Sequence, residues 1–317
     1  MRYFIRKLIV LGVSIFFITI LTFLAFHILP GDPAQLILGT EASQEKLESL
    51  RIQLGTNRHL YVQYFSWISG FVRGDFGTSI KYSKPVAELL TGRLEVTALL
   101  GLMVMAITLF FGVILGVVSA GKSGKALDDI ISAFTILGTS VPGFFLSILF
   151  MWIFGLIFHL FAPGKYIDYH TDPAGFIRYM IFPALAIAIP QTATLVKYIR
   201  AAVIDELSAA YVRTAKGKGV PFTMILFGHV LKNAIVAIVP LIGMMIGEIF
   251  SGSIIIEQVF SIPGVGRLLV SSVLSRDFPL TQTLVVYVAL LIVITNFIVD
   301  LVIQFLDPRI RLMEEQT

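Results

Sequence analysis

The sequence predicts an all-α membrane protein: six transmembrane helices, with a small extracytoplasmic segment between the first and the second. Three observations carry this. Of 317 residues, 56% are hydrophobic and 14% charged, where a soluble domain carries about 25% charged residues. Six apolar stretches reach the about 20 residues needed to cross a hydrocarbon core of about 30 Å. The placement of Lys and Arg puts both ends of the chain on one side, which requires an even number of crossings. Such a composition excludes an ordinary water-soluble enzyme and a disordered chain. Cysteine is absent, so there is no disulfide framework, thiolate metal site or cysteine nucleophile. The abundant Gly fits a helical bundle in lipid, where it lets backbones approach closely.

The first span runs Ile9 to Leu29. Arg2, Arg6 and Lys7 precede it, as in a secretory signal. Its apolar run exceeds the usual 7–15 residues and no small-x-small cleavage site follows, so an uncleaved anchor is expected. The second runs Val96 to Ala120. The third, Ile130 to Phe161, is long and expected to be tilted, or broken near Val141-Pro142-Gly143. The fourth, Tyr179 to Ile199, contains Pro183 and Pro190, and the fifth, Ala234 to Ile256, contains Pro240. The sixth runs Leu284 to Leu306.

With the N-terminus inside, the inner segments hold 13 Lys and Arg, and the two short outer loops hold four, Lys165, Arg178, Arg267 and Arg276. Both termini are therefore expected in the cytoplasm. The division expected is an anchor at 1–29, an outer segment at 30–93, a membrane domain at 94–306 and a cytoplasmic tail at 307–317. The outer segment carries helical patches such as Val62, Phe65, Trp67 and Phe71 and is expected to fold as a small cap.

The cytoplasmic loop 200–233 carries the most information. Val203, Leu207, Ala210, Tyr211 and Thr214 fall at helical spacing on one face. Gly217 and Gly219 stop that helix and Pro221 opens another. An exposed helical hairpin with basic flanks suits docking of a soluble partner. A basic, solvated inter-span loop fits the same residues.

Here the chain resembles the permease subunits of ABC importers, in the oligopeptide/dipeptide/nickel branch, over nearly its whole length. Leu29-Pro30-Gly31-Asp32-Pro33 closes the first span, and Gly74-Asp75-Phe76-Gly77-Thr78-Ser79 lies in the outer segment. Tyr211 through Gly219 resembles that branch's version of the EAA loop. Gly252-Ser253, Glu257, Phe260 and Pro263-Gly264-Val265-Gly266 follow in order. Arg276-Asp277-Phe278-Pro279 and Asp307-Pro308-Arg309-Ile310 flank the last span. Two positions depart from the general EAA pattern: its Glu falls at Arg213 and its closing Leu-Pro at Leu231-Lys232. A specific acid–arginine contact with the ATPase is therefore not carried over. Gly217 stands where the branch often has Ala.

The resemblance implies the type I importer permease fold, in the bacterial cytoplasmic membrane. It implies a second homologous permease subunit, two cytoplasmic ATPase subunits and an extracytoplasmic solute-binding protein. The solute expected is a di- or oligopeptide, with nickel or a metal chelate as the alternative. The coupling loop would use Glu206, Ala210, Tyr211, Arg213, Thr214, Ala215, Lys216, Gly217 and Gly219. No cofactor is expected on this chain; ATP and Mg belong to the partner subunits, and no nucleic acid is involved.

Gly116-Val117-Val118-Ser119-Ala120-Gly121-Lys122-Ser123 matches the phosphate-loop expression, but its variable positions continue an apolar span instead of following a strand. It is read as a membrane edge, with Lys122 as an anchor. Glu248 lies near the middle of the fifth span and Asp300 in the inner part of the sixth. A charge there is costly, so each is expected to face the bundle or a wet cavity. Glu248 reads as a pathway carboxylate, a contact to the sister permease, or a structural hydrogen-bonded group; Asp300 reads as structural. Gly112-x-x-x-Gly116 and Gly243-x-x-x-Gly247 read as close helix packing. His170 between Asp168 and Asp172 reads as a solvated loop over a metal site. Phe260, Pro263 and Gly264 are candidates for docking the solute-binding protein. The rivals from other classes are a secondary transporter, which usually carries more spans or an inverted repeat, and an intramembrane enzyme, for which only Glu248 and Asp300 are available.

Overall fold

The computed structural model describes residues 2–28, 33–39 and 42–306. The expected motifs at Leu29–Asp32 and Asp307–Ile310, and the tail at 307–317, lie outside the described residues. Five helices are long and apolar enough to cross a membrane, and six spans result if one sharply bent pair counts as one. The chain divides into two compact groups. One holds the residues up to Glu95 with Gly264–Ile294, and the other holds Val96–Pro263 with the residues from Thr295 on.

The first group contains α1 (Arg2–Ile28), α2 (Pro33–Leu38), α3 (Gln44–Leu54), α4 (Leu60–Val72) and α5 (Val86–Leu90). It also contains α13 (Val265–Leu274) and the start of α14 (Phe278–Leu306). The outer segment thus folds largely as short helices, and α4 lies against α1. The hydroxyls of Thr19 and Tyr64 are 2.9 Å apart, and His27 Nε2 lies 3.1 Å from Gln63 Oε1. Val86 and Leu90 are buried with Val265, Leu268, Leu280 and Leu284 in one apolar cluster.

That cluster is closed by a polar tie. Gly74 and Gly77 both take positive φ, +82° and +79°, so the chain turns there at no side-chain cost. The turn delivers Ser79, which is buried, to Asp277, also fully buried. Ser79 Oγ donates to Asp277 Oδ2 at 2.5 Å, and the Lys81 amide donates to the same oxygen at 3.1 Å. Asp277 also stands just before α14, where the Thr281 amide donates to its carbonyl at 2.9 Å. Two motifs nearly two hundred positions apart are halves of one device.

The second group is built on α6 (Arg93–Gly121), α9 (Pro173–Leu207) and α12 (Leu231–Val259). Glycine sets their spacing. A Cβ on Gly112 would lie 2.6 Å from Leu195, one on Gly116 2.7 Å from Ile199, and one on Gly243 2.6 Å from Val299. Only hydrogen fits at these crossings. The third expected span is broken: α7 (Ala126–Ser140) and α8 (Gly143–Phe150) meet at 92°, and α8 continues as a π-helical segment, Met151–Ile157. Pro142 explains the break, since proline forces the preceding residue out of the helical region, and Val141 is extended. Pro183 and Pro190 lie inside the continuous α9. Pro190 leaves the Ala186 carbonyl without its helical donor. Gly143 packs against that carbonyl so closely that a Cβ would sit 3.1 Å from it.

Three expectations need correction. The fourth span reaches well beyond 179–199, to Pro173–Leu207. At 35 residues it measures about 52 Å, more than the hydrocarbon core. Val203 through Thr214 do not form one helix. Ser208 turns its hydroxyl back onto the Asp205 carbonyl at 2.7 Å and Ala209 is extended, so α10 (Ala210–Gly217) is separate. Finally, residues 200–233 are not a free-standing hairpin. α11 (Phe222–Ile225) and a π-helical segment, Leu226–Val230, lead directly into α12, and together they form one apolar helical run, Phe222–Val259.

Candidate functional site

The helix α10 is short and amphipathic. Val212 is its only fully buried residue, packed in a cluster with Val203, Ile225 and Val230. Ala210, Arg213, Thr214 and Gly217 recur at helical spacing and are all exposed. A Cβ on Gly217 would meet nothing within 4 Å. Gly217 is still helical; the stop is at Gly219, whose φ is +77°. The Gly219 amide donates to Lys216 and the Val220 amide to Ala215, which closes the C-terminus. Lys216 lies over the Phe222 ring at 5.8 Å.

Tyr211 ties this helix to both neighbours. Its hydroxyl donates to Glu206 Oε2 at 2.6 Å, on the end of α9, and accepts from Asn233 Nδ2 at 3.2 Å, on the start of α12. Burial raises the phenol above the usual tyrosine range, and the Glu206 hydrogen bond adds to the rise. The hydroxyl therefore remains a donor at neutral pH. Arg213 donates weakly, at 3.4 Å, to the Ser208 carbonyl. The sequence reading named Tyr211 and Glu206 but missed Val212, the anchor. A single β-branched residue between polar neighbours was the available signal.

Asp128, near the start of α7, is almost fully buried. Arg200 on α9 grips it with two bonds, Nε to Oδ1 at 2.7 Å and Nη2 to Oδ2 at 2.8 Å. Ser119 Oγ donates to Oδ1 at 2.5 Å and the Gly124 amide to Oδ2 at 3.1 Å. The stretch that matches a phosphate-loop expression is α-helical from Gly116 to Gly121. Ser119 within it and Gly124 just past it hold the chain's own carboxylate, Asp128. Pattern reading missed this pair because its partners are 72 positions apart.

Deeper in the spans, Glu248 on α12 is exposed and accepts from Gln191 Nε2 at 3.0 Å. Gln191 sits at the centre of α9. Met244, Ser251 and Ile255 extend the same exposed face of α12. Asp300 is half-buried on α14.

Of the residues expected to dock a soluble partner outside, Phe260 is fully buried, and its carbonyl accepts the Tyr179 hydroxyl. Its ring packs against Phe161 at 5.8 Å, so its side chain offers no outer surface. Pro263 is half-buried and Gly264 buried. Around His170, the Asp168 carboxylate accepts the His170 amide at 2.8 Å, and Asp172 caps α9 by accepting from Gly175 at 2.9 Å. Among the described residues, no group of His, Asp and Glu gathers in a metal-holding arrangement.

Two family models match this chain. "Binding-protein-dependent transport system inner membrane component" covers residues 112–312, and the corresponding N-terminal model covers residues 1–103. A chain from Brucella abortus (strain 2308), described as a peptide transport system permease protein, is 37% identical over 93% of this chain and 94% of its own length. A peptide ABC transporter permease protein of Sinorhizobium fredii is 35% identical over 98% of this chain and 99% of its own. The glutathione transport system permease protein GsiC of Escherichia coli (strain K12) is 35% identical with the same coverage.

Proposed function

This chain belongs to the family of binding-protein-dependent transport system inner membrane components, and from that membership we propose how its parts serve import. It is a multi-pass inner-membrane permease of an ABC importer in the peptide branch. Importers of this family work with ATPase and solute-binding partners. Relatives named for peptide and glutathione transport favour a short peptide as the solute over nickel.

The exposed stripe Ala210, Arg213, Thr214 and Gly217 seats in a groove of one ATPase subunit, which carries ATP and Mg. Both termini lie in the cytoplasm with α10. A second, homologous permease completes the bundle, and the path runs between the two. The solute-binding protein docks on the opposite side, near Pro263 and Gly264. Closure of the ATPases moves α10, and the bundle rocks between two packings.

The observation that supports this best is the Tyr211 tie. A helix that merely linked two spans would not need one hydroxyl bonded to the end of one span and the start of the next. The test is a mild-detergent pull-down of tagged permease, wild type beside a variant carrying Arg213→Glu and Gly217→Trp. Both changes lie on the exposed stripe and leave Val212 in place. ATPase subunits should come down with the wild type and be depleted at least tenfold with the variant. Equal recovery from both would remove the docking role of the stripe.

A further inference from the structure

We propose that Glu248, held by Gln191, is the acceptor for the positively charged amino group of the passing solute, which for a short peptide is its amino terminus. The inference rests on the peptide-importer reading above and names what the path recognises.

Gln191 occupies the centre of α9, a helix that crosses the whole membrane. Glu248, its partner at 3.0 Å, lies 17 residues into α12. An exposed carboxylate at that depth cannot face hydrocarbon without a large cost. Among the described residues no cation lies within ion-pair distance of it, and the Gln191 amide donates to it. In the proposed importer, the face of α12 that carries it borders the aqueous path.

The amide is oriented by this bond. Gln191 must turn its NH₂ toward the carboxylate, because the reverse would set two acceptors together. Its other atom, Oε1, is then buried, and no donor reaches it. What a passing solute meets is therefore a single exposed carboxylate, Glu248, held in place by the Gln191 amide. A primary ammonium group carries three donors and one positive charge. It brings the Glu248 carboxylate donors and an opposite charge together, where a neutral amide brings donors alone and a carboxylate neither. Exposed Ser251, one helical turn from Glu248, adds a hydroxyl to the same face. One carboxylate, with water on its open side, holds a cation weakly enough to release it, as a transport path requires.

The test uses the complete importer in proteoliposomes, with loaded binding protein and ATP, and trialanine as the probe. Glu248→Gln should import trialanine at least tenfold more slowly than wild type, while Glu248→Asp keeps at least a third of the rate. Subunit stoichiometry of each complex is checked by size-exclusion chromatography. N-acetyl-trialanine, presented at matched binding-protein occupancy, should enter at least fivefold more slowly than trialanine in wild type. In Glu248→Gln the two peptides should enter within twofold of each other. Wild-type import of trialanine by an intact Glu248→Gln complex would overturn the proposal. So would loss of a permease subunit from that complex, which would place Glu248 at a subunit contact. Failure of the wild type to import any peptide would instead count against the proposed function itself.

Discussion

Tyr211 donates its hydroxyl to Glu206 across the break between α9 and α10, at 2.6 Å. The chain turns away at Ser208 and Ala209, and this bond reaches over the turn to restore a connection the backbone has given up.

Tyr211→Phe removes that bond and the one from Asn233 while keeping the ring. Each such bond is worth about 1 kcal/mol, so the fold should persist. Coupling should not: ATP hydrolysis by the assembled importer should continue while solute import falls severalfold. Simultaneous measurement of the two rates in proteoliposomes checks this. An unchanged ratio of import to hydrolysis would show that α10 acts without the tie.

Asp128→Ala strands the Arg200 guanidinium and the Ser119 hydroxyl together. Breaking a largely buried pair by removing one partner costs about 3–5 kcal/mol. Arg200 is about a third exposed, 34%, and solvent screening brings the expected loss below that range, to about 2–3 kcal/mol. The midpoint of thermal unfolding in detergent should drop clearly. Arg200→Lys, which keeps the charge and loses the two-bond grip, should fall between that variant and wild type.

Gly116→Ala and Gly217→Ala add the same methyl group with opposite results. At Gly116 the new atom must displace Ile199, and overpacking of this kind costs about 1–3 kcal/mol. At Gly217 it enters open space in a helical residue, and stability should rise by about 0.5 kcal/mol. Paired melts of the isolated permease decide between them.

Asp277→Ala removes the acceptor for Ser79 and the Lys81 amide. The expected loss is about 2–4 kcal/mol, confined to the first compact group. Limited trypsin digestion should then cut at Arg73 and Lys81 at least tenfold faster than in wild type. Ser79→Ala should show a smaller increase.

Apolar run length made the spans legible, because a helix in lipid must satisfy its backbone internally. The break at Pro142 was legible for the same local reason, and so was the Gly112–Gly116 packing. What was hidden depends on side chains brought together from far apart. Glu248 stood out as a lone acid, but nothing in the sequence linked it to Gln191, 57 positions earlier. Phe260 looked like an apolar group on an outer loop and proved to be buried, since a motif does not reveal which way a ring points. The α9–α10 break was missed because helical spacing from Val203 to Thr214 continued through it. Only the local pull of the Ser208 hydroxyl on the Asp205 carbonyl opposed that pattern.

The mounting of α10 has a mechanical consequence. Val212 sits in an apolar socket, while Tyr211 is tethered on two sides. A body held by one socket and two tethers has little freedom to slide, so it tilts. A push on the Arg213 side would then be felt at the end of α9 and the start of α12 together. Such a lever makes the direction of the push matter more than its strength.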